Sequence, residues 1–357
     1  MLFNGNMLAL ARQMKKKSQG ELLEEIGGGL TQGVLSKIER GRVQPSDEMV
    51  ARFAEVLSVR PSFFANDAYV RQPPMSYHRK RSKLLARDLA AIHGISEVMR
   101  LSLAKCLDSI EFEYDGPSLP TYDLDQFGGD AREAARAVRS RLKLPRGPVR
   151  NIASLIERSG VIILPFNFGT DLVDGFCQSS YGGLPPVIFL NSTLSIDRMR
   201  FSLAHELAHL VCHDAPNPNQ EIEANHFASE FLMPTADIVD DFDNFTLNRA
   251  MDLKLYWGTS IQSIVYKCWQ VGKIPDERMK NYFIEMSRRG WRKNEPVEAV
   301  GFVEKPSVFA AIVEAHFADM GYTEDELADL FGLNVEDLRF YYPVRRARPG
   351  LRVVASN

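Results

Sequence analysis

The chain has 357 residues, with 43 Lys and Arg against 46 Asp and Glu for a formal net charge of −3. At ~100–200 residues per domain this length predicts two or three domains with ample core, and no run approaches the ~20 apolar residues needed to span a bilayer. Its four cysteines are widely spaced, which argues against a disulfide frame and fits a reducing compartment; with no charged-then-apolar leader segment, a cytoplasmic protein without membrane partners is expected.

The charge is unevenly spread. Residues 1–100 hold 16 Lys and Arg and 10 Asp and Glu, and the remainder 27 and 36, so a basic module suited to phosphate precedes an acidic body. Residues 8–17 read as a helix. Ser18 with Glu21 three residues later forms a capping box that starts a second helix. After Gly27-Gly28-Gly29 come a third helix that ends in Leu35-Ser36-Lys37-Ile38-Glu39-Arg40-Gly41 and a fourth that starts at Pro45-Ser46. Short helices joined by glycine turns predict a helix-turn-helix bundle.

With Gln19 at the head of the second helix, the run from Leu35 to Gly41 and the Pro45-Ser46 start, residues 5–66 resemble the lambda-repressor-like (XRE) DNA-binding domain. The resemblance implies that Thr31, Gln32, Gly33, Ser36 and Lys37 face the major groove of a double-stranded operator. Gln19, Arg40 and Arg42 would lie near phosphates, and Glu39 would be structural. Such domains bind paired half-sites, so a homodimer is expected by analogy. The three glycines depart from the pattern, because they add residues between the second and third helices.

Pro73-Pro74 marks a linker. Arg71, Arg79, Lys80, Arg81, Lys83 and Arg87, interleaved with Tyr77, form a basic stretch that either tracks DNA backbone or is a solvated linker and helix face. Residues 82–112 read as a helix with apolar spacing from Leu85 to Leu107, broken by Gly116-Pro117-Ser118-Leu119-Pro120. Helices at 131–142 and 149–158 and strands at 161–165, 176–180 and 187–190 follow. They predict a small sheet whose edge accepts an extended substrate.

The segment Phe201-Ser202-Leu203-Ala204-His205-Glu206-Leu207-Ala208-His209-Leu210-Val211-Cys212-His213 places two histidines four apart, with a glutamate directly after the first. On a helix both imidazoles share a face one turn apart and can reach one ion, while Glu206 flanks it as a general base. Zinc takes imidazole nitrogens at ~2.0–2.1 Å and, in catalytic sites, three protein ligands with a fourth position left for water. Four of the seven histidines lie between positions 205 and 226. The helix that follows, stopped by Pro234, offers Glu221, Glu223 and His226, with Ile222, Phe227, Phe231 and Leu232 for packing. His213 lies eight residues from His205, about 12 Å along the same helix, which is too far to join both histidines on one ion. Glu223 is the first choice for third ligand and Glu221 the second, with His226 assigned an outer or structural place.

Asp174-Gly175-Phe176-Cys177, Pro186–Asn191, the Arg198-to-His213 run, Glu223-Ala224-Asn225-His226-Phe227-Ala228 and Leu232-Met233-Pro234 together resemble the ImmA/IrrE metallopeptidases over about residues 148–275. The resemblance implies a thermolysin-like minimal zinc peptidase whose Zn2+ ligands match His205, His209 and Glu223, and which cuts a transcriptional repressor. Cys177 departs from the small hydroxyl residue expected there; it reads first as a small, partly buried side chain and second as a thiolate that closes the ion's open position.

Beyond Pro234 the chain reads as helical. Tyr266, on a capped helix that resembles the family's terminal one, is a candidate oxyanion stabiliser. Residues 306–342 include two short acidic helices around a glycine, suited to packing or to protein binding. The expected fold is mostly α with a small β-sheet (α+β): a helix-turn-helix domain at 1–70, a basic linker and connecting helix at 71–120, a zinc peptidase domain at 121–275 and a helical region at 276–357. The expected function is a DNA-binding regulator with a zinc endopeptidase, His205, His209 and Glu223 binding metal and Glu206 serving as base. The same domains also suit a transcription factor whose peptidase-like domain senses a ligand, metal or peptide without cutting.

Overall fold

The computed structural model describes residues 3–66, 70, 84–110, 113–292, 294–299 and 301–342. Pro73-Pro74 and the stretch with Arg71, Tyr77, Arg79, Lys80, Arg81 and Lys83 lie outside the described residues. In chain order the helices are α1 Gly5–Met14, α2 Gln19–Ile26, α3 Gln32–Glu39, α4 Asp47–Leu57, α5 Ala86–Leu107, α6 Ala131–Arg141, α7 Ile152–Glu157, α8 Ile196–Cys212, α9 Gln220–Leu232, α10 Thr235–Ile238, α11 Leu247–Trp257, α12 Ile261–Gln270, α13 Asp276–Arg288, α14 Val308–Ala318, α15 Glu324–Phe331 and α16 Val335–Tyr341. The strands are β1 Ile162–Phe166, β2 Gly175–Gln178 and β3 Val187–Asn191. The protein is mostly α-helical with one small sheet. No helix among the described residues is long and apolar enough to cross a membrane.

These elements form two compact units, one with α1–α5 and α14–α16, the other with α6–α13 and the sheet. In the first, the Ser18–Glu21 capping box is present at the start of α2, and Ser46 caps α4 through the N–H of Met49. Gly27, Gly28 and Gly29 take φ of 77, 104 and 90°, a run of left-handed backbone open to glycine at little steric cost. α5 is buried on nearly every side, as a helix enclosed by neighbours must be. Gly94 lets it approach α1, for a Cβ there would lie 3.0 Å from the Met14 nitrogen and 3.1 Å from the Leu10 carbonyl oxygen.

The expected regions 71–120 and 276–357 are each divided between the two units, and the contacts give the reason. Tyr342 Oη donates to Ser102 Oγ on α5 at 2.7 Å, and the Arg60 backbone N–H and Nε donate to the carbonyls of Gly332 and Leu333. Arg60 also pairs with Asp325 and Asp329. α15 and α16 are therefore a packing element of the unit that carries the helix-turn-helix.

In the second unit the sheet order is β1-β3-β2, with β1 parallel and β2 antiparallel to β3. Every residue of β3 is buried, as a central strand covered on both faces requires. α8 packs on this layer and on α9, which also packs on α6; Leu203, Leu207, Val211, Phe227 and Phe231 along these helices are all fully buried. Ile222, expected in the core, is 43% exposed.

Buried polar links fix the frame. Arg200 pairs with Glu304, and Glu304 accepts from the first N–H groups of α7, at Ile152 and Ala153. Lys254 bridges Asp197 on α8 and Glu295.

Candidate metal centre and nucleic-acid interface

On α3, Leu35 and Ile38 are buried and face the bundle, which turns Thr31, Gln32, Gly33 and Lys37 outward, with Ser36 partly covered. Arg40 and Arg42 are exposed as well. Gln19 is half-buried, and its Nε2 donates to Glu39 Oε2 at 2.8 Å. Glu39 also accepts from Arg12 Nε at 2.6 Å and Nη2 at 3.0 Å. Glu39 thus ties α1, α2 and α3 together, so α3 is presented as a fixed, polar, convex helix. Five residues separate α2 from α3, and its N-cap Thr31 accepts from the Val34 N–H.

In the second unit, α8 carries His205 and His209 one turn apart, with their Nε2 atoms 3.1 Å from each other. From the first turn of α9, Glu221 places its carboxylate oxygens 3.6 Å from His205 Nε2 and 3.5 Å from His209 Nε2. Around a tetrahedral zinc with bonds of ~2.1 Å, neighbouring ligand atoms stand about 3.4 Å apart. The three separations match that spacing, and this is the group of donors that the described residues bring together for a metal.

The expected third ligand Glu223 is elsewhere. Its Oε2 lies 3.0 Å from His213 Nε2 and accepts from Asn217 Nδ2 at 3.2 Å. The reason is helical phase. Glu221 and Asn225 are four apart on α9 and share a face, and Asn225 Oδ1 meets His205 Nδ1 at 3.1 Å, whereas Glu223 is turned toward the end of α8. The Glu221/Asn225 spacing is the sequence signal that identifies the face.

Burial disfavours the charged form of His205, but the carboxylates of Glu221 and Glu206 outweigh it and hold its pKa above the ordinary value. Burial likewise opposes charge on Glu221, and the facing imidazoles of His205 and His209 overcome it, so its pKa is strongly lowered. The cluster is thus a partly covered site of two imidazoles and an ionised carboxylate.

Glu206 is 6% exposed and sits between α8 and β2. A Cβ on Gly175 would stand 2.8 Å from the Phe189 carbonyl oxygen and 3.8 Å from Glu206 Cγ, so glycine lets β2 run close beside this carboxylate. Burial, followed by the Glu206 charge, pushes the pKa of the Cys177 thiol well up.

Tyr266 is 43% exposed on α12, with its ring 5.1 Å from that of Trp269. His226 is outside the donor group.

A family model described as helix-turn-helix matches residues 8–64, and one described as the IrrE N-terminal-like domain matches residues 156–268. A search of the curated proteins finds no match to the chain. With most of α1 and all of α2–α4 inside the first range and β1–β3, α8 and α9 inside the second, the chain joins an XRE-type helix-turn-helix domain to an IrrE-like domain.

Proposed function

We propose that the protein is a DNA-binding regulator whose second unit is a zinc-dependent endopeptidase that cleaves a transcriptional repressor or partner regulator. The observation that carries this reading is the arrangement of His205, His209 and Glu221 at tetrahedral ligand spacing with Glu206 beside them. His205, His209 and Glu221 would hold the ion. When bound, zinc supplies Lewis acidity and lowers the pKa of water at its open position to about 7.

The chain's own residues do the rest. Glu206 takes the proton of the attacking water and returns it to the leaving amine. β2 lies at the edge of the sheet and passes beside Glu206, so an extended substrate segment adds there as a strand, its main chain registered by backbone hydrogen bonds. The α3 face with Thr31, Gln32, Gly33, Ser36 and Lys37 reads the major groove of an operator, Gln19, Arg40 and Arg42 lie near its phosphates, and two copies of the chain occupy paired half-sites as a homodimer.

In Glu206→Gln the metal donors are intact while the base is lost. Zinc content should match wild type, and cleavage of the cognate regulator should fall by roughly 10²–10⁴-fold, the scale of a general base. An undiminished cleavage rate in a zinc-loaded Glu206→Gln protein would reject the assignment.

A further inference from the structure

α8 ends at Cys212, and His213 at its C-cap leaves the helical path with φ −128° and ψ 75°. This departure swings the imidazole back over the helix end. Its Nδ1 lies 2.9 Å from Nδ1 of His209, and its Nε2 lies 3.0 Å from Glu223 Oε2. The His213 side chain is 3% exposed and that of Glu223 21%. A buried histidine and a carboxylate are thus joined in series to the outer nitrogen of a ligand histidine.

Proton bookkeeping gives this chain one direction. A neutral imidazole carries a single N–H, and a nitrogen that binds a metal must offer its lone pair. With His209 Nε2 turned to the donor cluster, its proton sits on Nδ1 and is donated to His213 Nδ1. His213 then accepts at Nδ1, carries its own proton on Nε2 and donates it to Glu223, which only accepts when ionised. The reverse polarity would place a proton on His209 Nε2, where it would block ligation. The other ligand histidine is served in one step, by Asn225 Oδ1 at His205 Nδ1.

We infer that Glu223 and His213 form a carboxylate–histidine–histidine relay that fixes the tautomer and ring orientation of His209, making both positioning residues of the metal centre. The inference rests on the zinc-site reading above and extends it. It also accounts for Glu223, which the sequence offered as a ligand and the geometry leaves outside the donor group, and gives a role to His213, which lies too far along α8 to ligate with both histidines. Outer hydrogen-bond partners of ligand histidines typically contribute 10–100-fold in metal affinity, and His213 and Glu223 act on one ligand jointly.

The test is competitive zinc titration of the full chain with a chromogenic chelator, for wild type, His213→Ala, Glu223→Ala, Glu223→Gln and Glu221→Ala. Expected are one zinc per wild-type chain, a 10–100-fold weaker but still stoichiometric site in His213→Ala and Glu223→Ala, and a smaller loss in Glu223→Gln, whose amide oxygen still accepts. A second readout, needing no variant, is the nitrogen-15 spectrum of the histidine rings in the zinc-loaded wild type: protons on His209 Nδ1 and His213 Nε2 are expected. A proton on His213 Nδ1, or wild-type affinity in both His213→Ala and Glu223→Ala, overturns the relay while leaving the site intact. Failure of the wild type to bind zinc, or full binding by Glu221→Ala, overturns the zinc-site reading itself and the relay with it.

Discussion

Replacing Glu221 with alanine is expected to weaken zinc binding by more than the roughly 10–100-fold that loss of an outer hydrogen-bond partner costs. The carboxylate faces both histidine Nε2 atoms at 3.5 and 3.6 Å, so its removal leaves two donors on one helix and nothing from α9. Two imidazoles alone make an incomplete site for a cation that takes three protein ligands in catalytic centres. Glu223→Ala should instead keep stoichiometric zinc. Metal analysis after dialysis against a defined free-zinc buffer separates the two carboxylates, and a zinc-free Glu223→Ala beside a zinc-replete Glu221→Ala would reverse the assignment.

This pair of glutamates also marks where the sequence was legible and where it stopped. The i, i+4 histidines announce a shared helix face without any structure, and the capping box at Ser18 and Glu21, the breaks at glycine and Pro234 and the β-branched strands around Val187 place the elements to within a few residues. Choosing between carboxylates two residues apart needs the rotational phase of α9 relative to α8. That phase is set by which of Phe227, Phe231 and Leu232 enter the core, and Ile222, expected with them, is exposed. Asn225, four residues after Glu221, held the phase information but carries no metal-ligand signature of its own. The close run of β2 beside Glu206 was equally hidden, because it depends on how near Gly175 lets that strand come. The grouping of α14–α16 with the first unit rests on contacts such as Arg60 with Asp325, 265 positions apart, which local periodicity does not report.

Glu230→Ala is expected to destabilise the second unit by about 3–5 kcal/mol, the usual cost of leaving a buried charge without its partner. Glu230 and Lys267 are each 1% exposed in their side chains and 2.6 Å apart, joining α9 to α12. Glu230 accepts further from Arg136 Nε, from the Thr235 N–H and from Thr235 Oγ1, so it anchors the end of the helix whose first turn carries Glu221. Burial opposes its charge, but Lys267, then Thr235 and Arg136, lower its pKa to about 2. Burial also lowers the pKa of Lys267 against the raising influence of Glu230; the carboxylate, with four hydrogen bonds, is the member whose charge the fold secures.

The sign follows from linkage. A carboxylate with a folded pKa below its unfolded value contributes stability that is complete above about pH 4.5 and is lost as pH falls toward 2. Urea unfolding at neutral pH should show the full deficit in Glu230→Ala, and Lys267→Met added to it should recover much of the loss by removing the stranded ammonium. A deficit below about 1 kcal/mol would mean that water or a neighbouring group already neutralises Lys267, contrary to the buried bridge.

The most direct measurement is of fragments. Purified, zinc-loaded protein is incubated with the regulators encoded beside its own gene, with and without a zinc chelator, and the products are read by mass spectrometry. A zinc endopeptidase yields one or a few discrete cleavage products that vanish with the chelator and return when zinc is restored. Intact regulators in the zinc-loaded reaction, or fragments indifferent to the chelator, would contradict it.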